Sequence, residues 1–417
     1  MIEFSTVFVR EPFKGILKRG YYKEYFVTLE HVCMVILLAV FYLFLTHKSS
    51  GKKKGVYILM KHNAKDNQDI QKKKLPLGVK IVIGFLIGVM VVCAGTFGYL
   101  QYTFSKMNKA EATQEKVEPR DETFEKDENE GTSDAEVLQP DEVELLTTSD
   151  IMKDKDVVNI LLIGQDKRSG EGRARSDSMI LATLNKKDKS IHLTSFMRDL
   201  YVELPGDYSP NRLNAAYQFG GMELLDATIE SNFGILIDGN IEVDFSGFQK
   251  CVDKVGGIDI ELRQNEADFL NKRGNWDVNQ DSANTWQLKE GMNHLTGEQA
   301  LAFSRIRYVG NADYERTERQ RRVLTEVFKK VKSSDLKTIM GLIDELFPLL
   351  TTDISQTDMM AYAVAVLQIG TGDIQSDRIP ISGSFKNAIV RKMEVLVPDL
   401  ELNRRHLQQT LYPHLQE

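Results

Sequence analysis

Six arginines crowd one stretch of this 417-residue chain. Between Gly297 and Val323 it reads GEQALAFSRIRYVGNADYERTERQRRV, and Arg305, Arg307, Arg316, Arg319, Arg321 and Arg322 fall within eighteen residues. A guanidinium is a planar fork that makes paired, charge-assisted hydrogen bonds, which lysine does not reproduce. Such a cluster therefore suits an anion held through several oxygens at once, a phosphate or pyrophosphate. Thr296 with Gln299 has the pattern of a capping box opening one short apolar helix, and a second helix runs from Tyr314 with Val323, Leu324, Val327 and Phe328 behind it. The arginines converge on the hinge between these helices. Arg316 and Gln320, four apart, share a face of the second helix; Arg319 borders that face, and Arg321 and Arg322 point elsewhere.

Acids and further arginines recur where apolar runs end. Asp166 follows VVNILLIGQ, Arg173, Arg175 and Asp177 stand in GRARSDS, and Arg198 with Asp199 stands in SFMRDL. Residues at the ends of neighbouring strands share one edge of a sheet, where α/β folds place ligands. Carboxylate oxygens hold a hard cation and guanidinium groups neutralise phosphate charge, so the combination is what a magnesium-bound diphosphate requires. No Walker glycine loop and no G-x-S-x-G elbow is present, and His192 and His294 have no partner evident in the sequence. Hydrolase triads and zinc sites are unsupported.

The elements that must position these residues follow from apolar patterning. Ile81 to Leu100 is an uncharged run of twenty, which at about 1.5 Å per residue spans roughly 30 Å of hydrocarbon. Lysines precede it and acids follow, which sets the chain after it outside the cell membrane, with an uncleaved, single-pass signal-anchor at the N-terminal side. Residues 1–59 form an N-terminal extension with a second, shorter apolar run from Val32 to Leu45, and residues 60–80 a basic cytoplasmic segment. Residues 102–156 are acidic and poor in large apolar side chains, the composition of a flexible stalk. From Val157 onward, buried-type strands (VVNILLIG, SMILATL, IHLTSF, IDIEL) alternate with helical runs at Glu223 to Asn232 and Phe245 to Lys254. This predicts a single α/β domain with a central mixed sheet flanked by helices over 157–332. Residues 333–417 add a helical extension. The net charge of −7 and three scattered cysteines give neither a nucleic-acid signature nor a disulfide framework.

The blocks NILLIGQD, RSDSMILATLN, SFMRDLYVELPG, NRLNAAY, VDFSGF, VGGIDIEL and LTGEQALAFSRIRY with GNADYERTERQ resemble, in this order, the LytR-CpsA-Psr family of Gram-positive bacteria. That resemblance implies a phosphotransferase that moves an anionic glycopolymer such as wall teichoic acid or capsule from a polyprenyl pyrophosphate carrier onto peptidoglycan. It implies magnesium, with manganese as a substitute, held by Asp177 and Asp313. Arg198, Arg305 and Arg316 become the catalytic pyrophosphate clamp, with Arg175, Arg307 and Gln320 beside it and Asp166 orienting an arginine. Arg212 stands where the family often carries lysine. Phe219, Leu225, Phe245, Phe248 and Phe303 are candidates to line a channel for the lipid. A pyrophosphatase on the same lipids and a non-catalytic envelope regulator are the rival readings.

Overall fold

The computed structural model describes residues 77–110, 135–165, 175–272, 286–307, 309–310, 312–369 and 374–415. Expectations for residues 1–76, including the extra apolar helix, fall outside them. The chain divides into two compact units, one ending at Gln101 and the other beginning at Tyr102. Helix α1 (Leu77–Phe104) is 28 residues long and contains the uncharged run. Among the described residues, no helix is long and apolar enough to cross a membrane, and the span expected over residues 81–100 stays an expectation from the sequence.

In the second unit the chain forms β1 (Asn108–Lys109), β2 (Glu136–Leu138), β3 (Val157–Gln165), β4 (Ser176–Asn185), β5 (Ser190–Phe196), β6 (Tyr201–Val202) and β7 (Asn211–Arg212). Helix α2 (Leu213–Phe233), β8 (Gly239–Asp244), α3 (Phe245–Lys254), β9 (Ile258–Leu262), α4 (Gln264–Leu270) and β10 (Gly291–Leu295) follow. The arginine-rich helices are α5 (Gly297–Ser304) and α6 (Ala312–Ser333), and the extension comprises α7 (Leu336–Leu346), β11 (Leu350–Thr352), α8 (Gln356–Ile369), β12 (Ile374–Ile379), β13 (Phe385–Val390), β14 (Met393–Pro398) and α9 (Leu400–Leu411).

The central sheet is mixed, in the order β1-β11-β8-β3-β4-β5-β12. Its middle strands are the apolar runs read from the sequence, and their alternation assigns the two faces. Met179 and Leu181 of β4 join the main core with Leu213, Leu225 and Ile229 of α2. Ser178, one residue out of phase, donates from Oγ to Gln320 Oε1 of α6 at 3.2 Å. Helices α2 and α6 thus cover opposite faces. Gly164 allows β3 to approach β4 closely at its end, because a Cβ there would meet Ser178 Cβ at 3.0 Å.

Three expectations change. The strand IDIEL is not in the central sheet: β9 pairs antiparallel with β10, Ile260 opposite Asn293, and with α3 to α6 encloses a second core around Leu262, Phe303 and Val323. The stretch expected as a flexible stalk is in part built into the domain, since β2 pairs parallel with β13 and Leu138, Val143 and Leu145 pack on the small core under β13 and β14. Few apolar residues suffice there because a ready-made strand edge supplies the backbone partners. The extension read as helical also supplies β11 and β12 to the central sheet.

Candidate functional site

The loop after β5 is fixed from three sides by its backbone. Met197 N–H donates to Ile379 O at 2.9 Å, Asn214 N–H to Arg198 O at 3.2 Å, and Leu396 N–H to Asp199 O at 2.9 Å. Arg198, only 8% exposed, is held there among three carboxylates: Nη1 lies 3.3 Å from Asp177 Oδ1, Nε 3.2 Å from Asp199 Oδ2 and Nη2 3.5 Å from Asp313 Oδ2. Each acid touches a second arginine. Arg212 Nη1 is 3.1 Å from Asp199 Oδ1, Arg307 Nη2 4.0 Å from Asp177 Oδ1 and Arg316 Nη2 2.8 Å from Asp313 Oδ1. Four guanidinium groups against three carboxylates leave one positive charge in a largely buried network.

Arg316 shows where that charge is unmet. It is 3% exposed, its Nε and Nη1 have no hydrogen-bond partner, and Asp313 Oδ1 meets it at an angle that makes none. Burial, then the neighbouring Arg198 and Arg307, push its guanidinium down to about 10, against the pull of Asp313 and Asp177. An unsatisfied buried donor costs about 1–3 kcal/mol, more when charged. An oxyanion at this position would relieve it.

The remaining expected residues meet other partners. Gln320 meets Ser178 as described. Arg175 donates from Nε to Gln218 Oε1 at 3.1 Å. Arg305 is exposed, its guanidinium 4.6 Å from the ring centroid of Phe245. Asp166 and Arg173 lie outside the described residues.

The arginines of α6 sort differently from their helical positions. Arg319 is a structural residue: it is 1% exposed, with Nε on Glu266 Oε1 at 2.8 Å, Nη1 on Ile306 O at 3.1 Å and Nη2 on Val309 O at 3.0 Å. It ties the hinge to α4. Arg322 lies over Phe303 at 5.2 Å. Arg321 is not solvated: it is 7% exposed, Nε and Nη1 lack partners, and burial lowers it to about 10. Its stripe of α6 faces the sheet, which the sequence did not reveal. His294, partnerless in the sequence, pairs through Nδ1 with Asp259 Oδ1 at 2.7 Å on the exposed hairpin.

Among the described residues no group of three or more His, Cys, Asp or Glu could hold a metal ion. Asp177 and Asp313, both on Arg198, fit a cation that takes one or two carboxylates and completes its shell with water and ligand phosphate, as magnesium does. The five channel candidates do not line one space. Phe219 and Leu225 belong to the core under α2, Phe248 and Phe303 to the second core, and Phe245 carries Arg305; packing in separate cores accounts for them.

A model of the LytR_cpsA_psr family matches residues 96–408. The chain belongs to the LytR-CpsA-Psr family. It is 33% identical over 315 residues to a Bacillus mycoides protein named polyisoprenyl-teichoic acid–peptidoglycan teichoic acid transferase TagU, a match that covers 75% of this chain and 85% of that one. An Enterococcus faecalis protein of the same name is 32% identical over 57% of this chain and 75% of its own. Among solved structures, TagV of B. subtilis superposes with a TM-score of 0.50 at 29% identity, covering 62% of this chain and 98% of that one. TagT bound to LIIa-WTA superposes with a TM-score of 0.50 at 25% identity, over 64% and 96%. The LytR-CpsA-Psr match takes in β11, β12 and most of α9 together with the arginine hinge.

Proposed function

We propose that this chain is a membrane-anchored phosphotransferase that moves an anionic, teichoic-acid-like glycopolymer from a polyprenyl pyrophosphate onto peptidoglycan, with α1 as the anchor and the second unit outside the cell. The observation that carries this reading is the unsatisfied, buried guanidinium of Arg316 within a network of arginines and aspartates. The relatives, named as teichoic acid transferases, supply the substrate class.

In this reading Arg198, Arg305 and Arg316 grip the diphosphate, and Arg307 and Arg212 set the charge around it. Asp177 and Asp313 would hold magnesium, which would supply further neutralisation of the phosphate oxygens. The acceptor hydroxyl attacks the phosphorus next to the glycan, the bond to the bridging oxygen breaks, and polyprenyl phosphate leaves. The arginines stabilise the charge that develops on that bridging oxygen, which is the larger part of catalysis in such transfers. Asp199 orients two of the guanidinium groups, those of Arg198 and Arg212.

The test is incubation of the full chain with a synthetic lipid-pyrophosphate glycan and peptidoglycan oligomers in magnesium. Glycan linked to peptidoglycan is the expected product. Glycan phosphate released into water would make the chain a hydrolase, and unchanged lipid a binding protein.

A further inference from the structure

One arginine of the extension borders this network without belonging to the sequence cluster. Arg378, on β12, lies with its guanidinium carbon 4.2 Å from the ring centroid of Tyr314. Its Nη2 donates to Ser382 Oγ at 3.0 Å and its Nη1 contacts Met197 Sδ at 3.7 Å. Tyr314 directly follows Asp313, and Met197 directly precedes Arg198. The guanidinium is therefore one residue removed, on two sides, from the groups that hold the network together.

Its contacts are neutral. Among the described residues no carboxylate comes within ion-pair distance of the Arg378 guanidinium, in contrast to Arg198, Arg212, Arg307 and Arg316. Tyr314, which carries the guanidinium, is itself packed against Phe385, the ring centroids 5.8 Å apart. Arg378 is half-exposed and Ser382 exposed, so the pair faces solvent. A serine hydroxyl that accepts from a guanidinium keeps its own proton to donate. Arg378 and Ser382 thus offer N–H and O–H donors to one oxyanion, on a platform that holds them in place.

We propose that Arg378 and Ser382 form a second oxyanion subsite for a phosphodiester of the transferred polymer, outside the pyrophosphate clamp. The inference rests on the function proposed above. A phosphodiester fits better than a neutral sugar because the guanidinium has no counter-charge of its own and its fork matches phosphate oxygens. The subsite would select polymers that carry phosphate near their lipid-linked end.

The test compares two synthetic ligands on the full chain in detergent: a lipid-pyrophosphate disaccharide, and the same compound extended by one glycerol phosphate. Equilibrium binding reads the subsite without turnover. Arg378→Gln should weaken the extended ligand about tenfold more than the short one, Ser382→Ala should do so to a smaller extent, and Arg378→Lys should fall between wild type and Arg378→Gln, as expected for a lost charge-assisted fork. Equal weakening of both ligands, or none, would overturn the subsite and leave the transferase reading intact. Failure of the wild-type chain to bind either ligand would overturn both.

Discussion

Arg319 and Glu266 form an ion pair, Nε to Oε1 at 2.8 Å, in which neither side chain reaches solvent. The pair joins the arginine hinge to a helix fifty-three residues earlier in the chain. It separates the arginines that build the site from those that face the ligand: Arg319 spends its donors on Glu266, Glu315 and two carbonyl oxygens, whereas Arg316, three residues away, leaves two nitrogens unmet.

Substitutions at three arginines of α6 should resolve this division. Arg316→Lys should lower kcat/KM about tenfold or more, on the order of 1.4 kcal/mol, with little change in thermal unfolding, since charge is kept and the fork is lost. Arg319→Met should instead cost up to about 3–5 kcal/mol of stability by removing the close partner of the buried Glu266, whose other cation, Arg322 Nη1, stands 3.8 Å away. Arg321→Met should be neutral or raise the unfolding temperature, because it removes a buried guanidinium that has no hydrogen-bond partner at Nε or Nη1. Steady-state kinetics and calorimetry on the three variants check this; equal kinetic losses at all three would mean a diffuse positive field and no defined clamp.

Magnesium dependence should reside in Asp177 and Asp313, two of the three carboxylates on Arg198. Asp177→Asn and Asp313→Asn keep side-chain volume and remove a hard anionic ligand, so each should reduce magnesium-stimulated turnover by about a hundredfold or shift the magnesium requirement upward. Magnesium titrations of activity that superpose on wild type for both variants would remove them as ligands.

The strands that came out of the sequence are those with long apolar runs, β3 to β5, and the helices those with clear caps or periodicity, such as α3 and α5. Several elements gave no such signal. Helix α2 begins ten residues before the periodic run at Glu223, because Gly220-Gly221 reads as a break; Gly221 does take a non-helical φ of 66° inside it. Strand β12, IQSDRI, is mostly polar and becomes a strand only against β5. Within the site, the positions of Arg198 and Asp177 at strand ends were legible, whereas Asp313 came only from the resemblance. Glu266 and Arg378 were not, since each is a lone charge whose partner is distant in sequence.

The extension should therefore be needed for folding. Residues 102–332 alone lack β11 and β12, as well as Leu407, Leu411 and Tyr412 of the main core. They also lose the Tyr412 hydroxyl, which accepts from Asn159 Nδ2 at 2.8 Å. That fragment should show no cooperative thermal transition in circular dichroism. A cooperative transition within about 5 °C of the 102–417 chain, a shift worth roughly 1–2 kcal/mol, would refute this.

Acid should destabilise the fold through His192. Burial is the main cause that holds its imidazole below the ordinary 6.5, against the pull of Asp377. Between the lowered folded value and 6.5 the unfolded chain binds more protons, so stability falls as pH drops below 6.5. His192→Gln should flatten that decline. Unfolding temperatures followed from about pH 7.5 to 5.5 would show parallel curves for both proteins if His192 had no part in it.

Because β12 closes the open side of β5, the order in which the polypeptide is made governs when the sheet can be finished. The first three central strands are complete at Phe196, yet their outer neighbour ends at Ile379, 379 − 196 = 183 residues later. Until then β5 presents a row of unpaired backbone groups. For a domain proposed to leave the cell through a secretion channel, this delay keeps the emerging chain pliable until nearly its whole length has been threaded across.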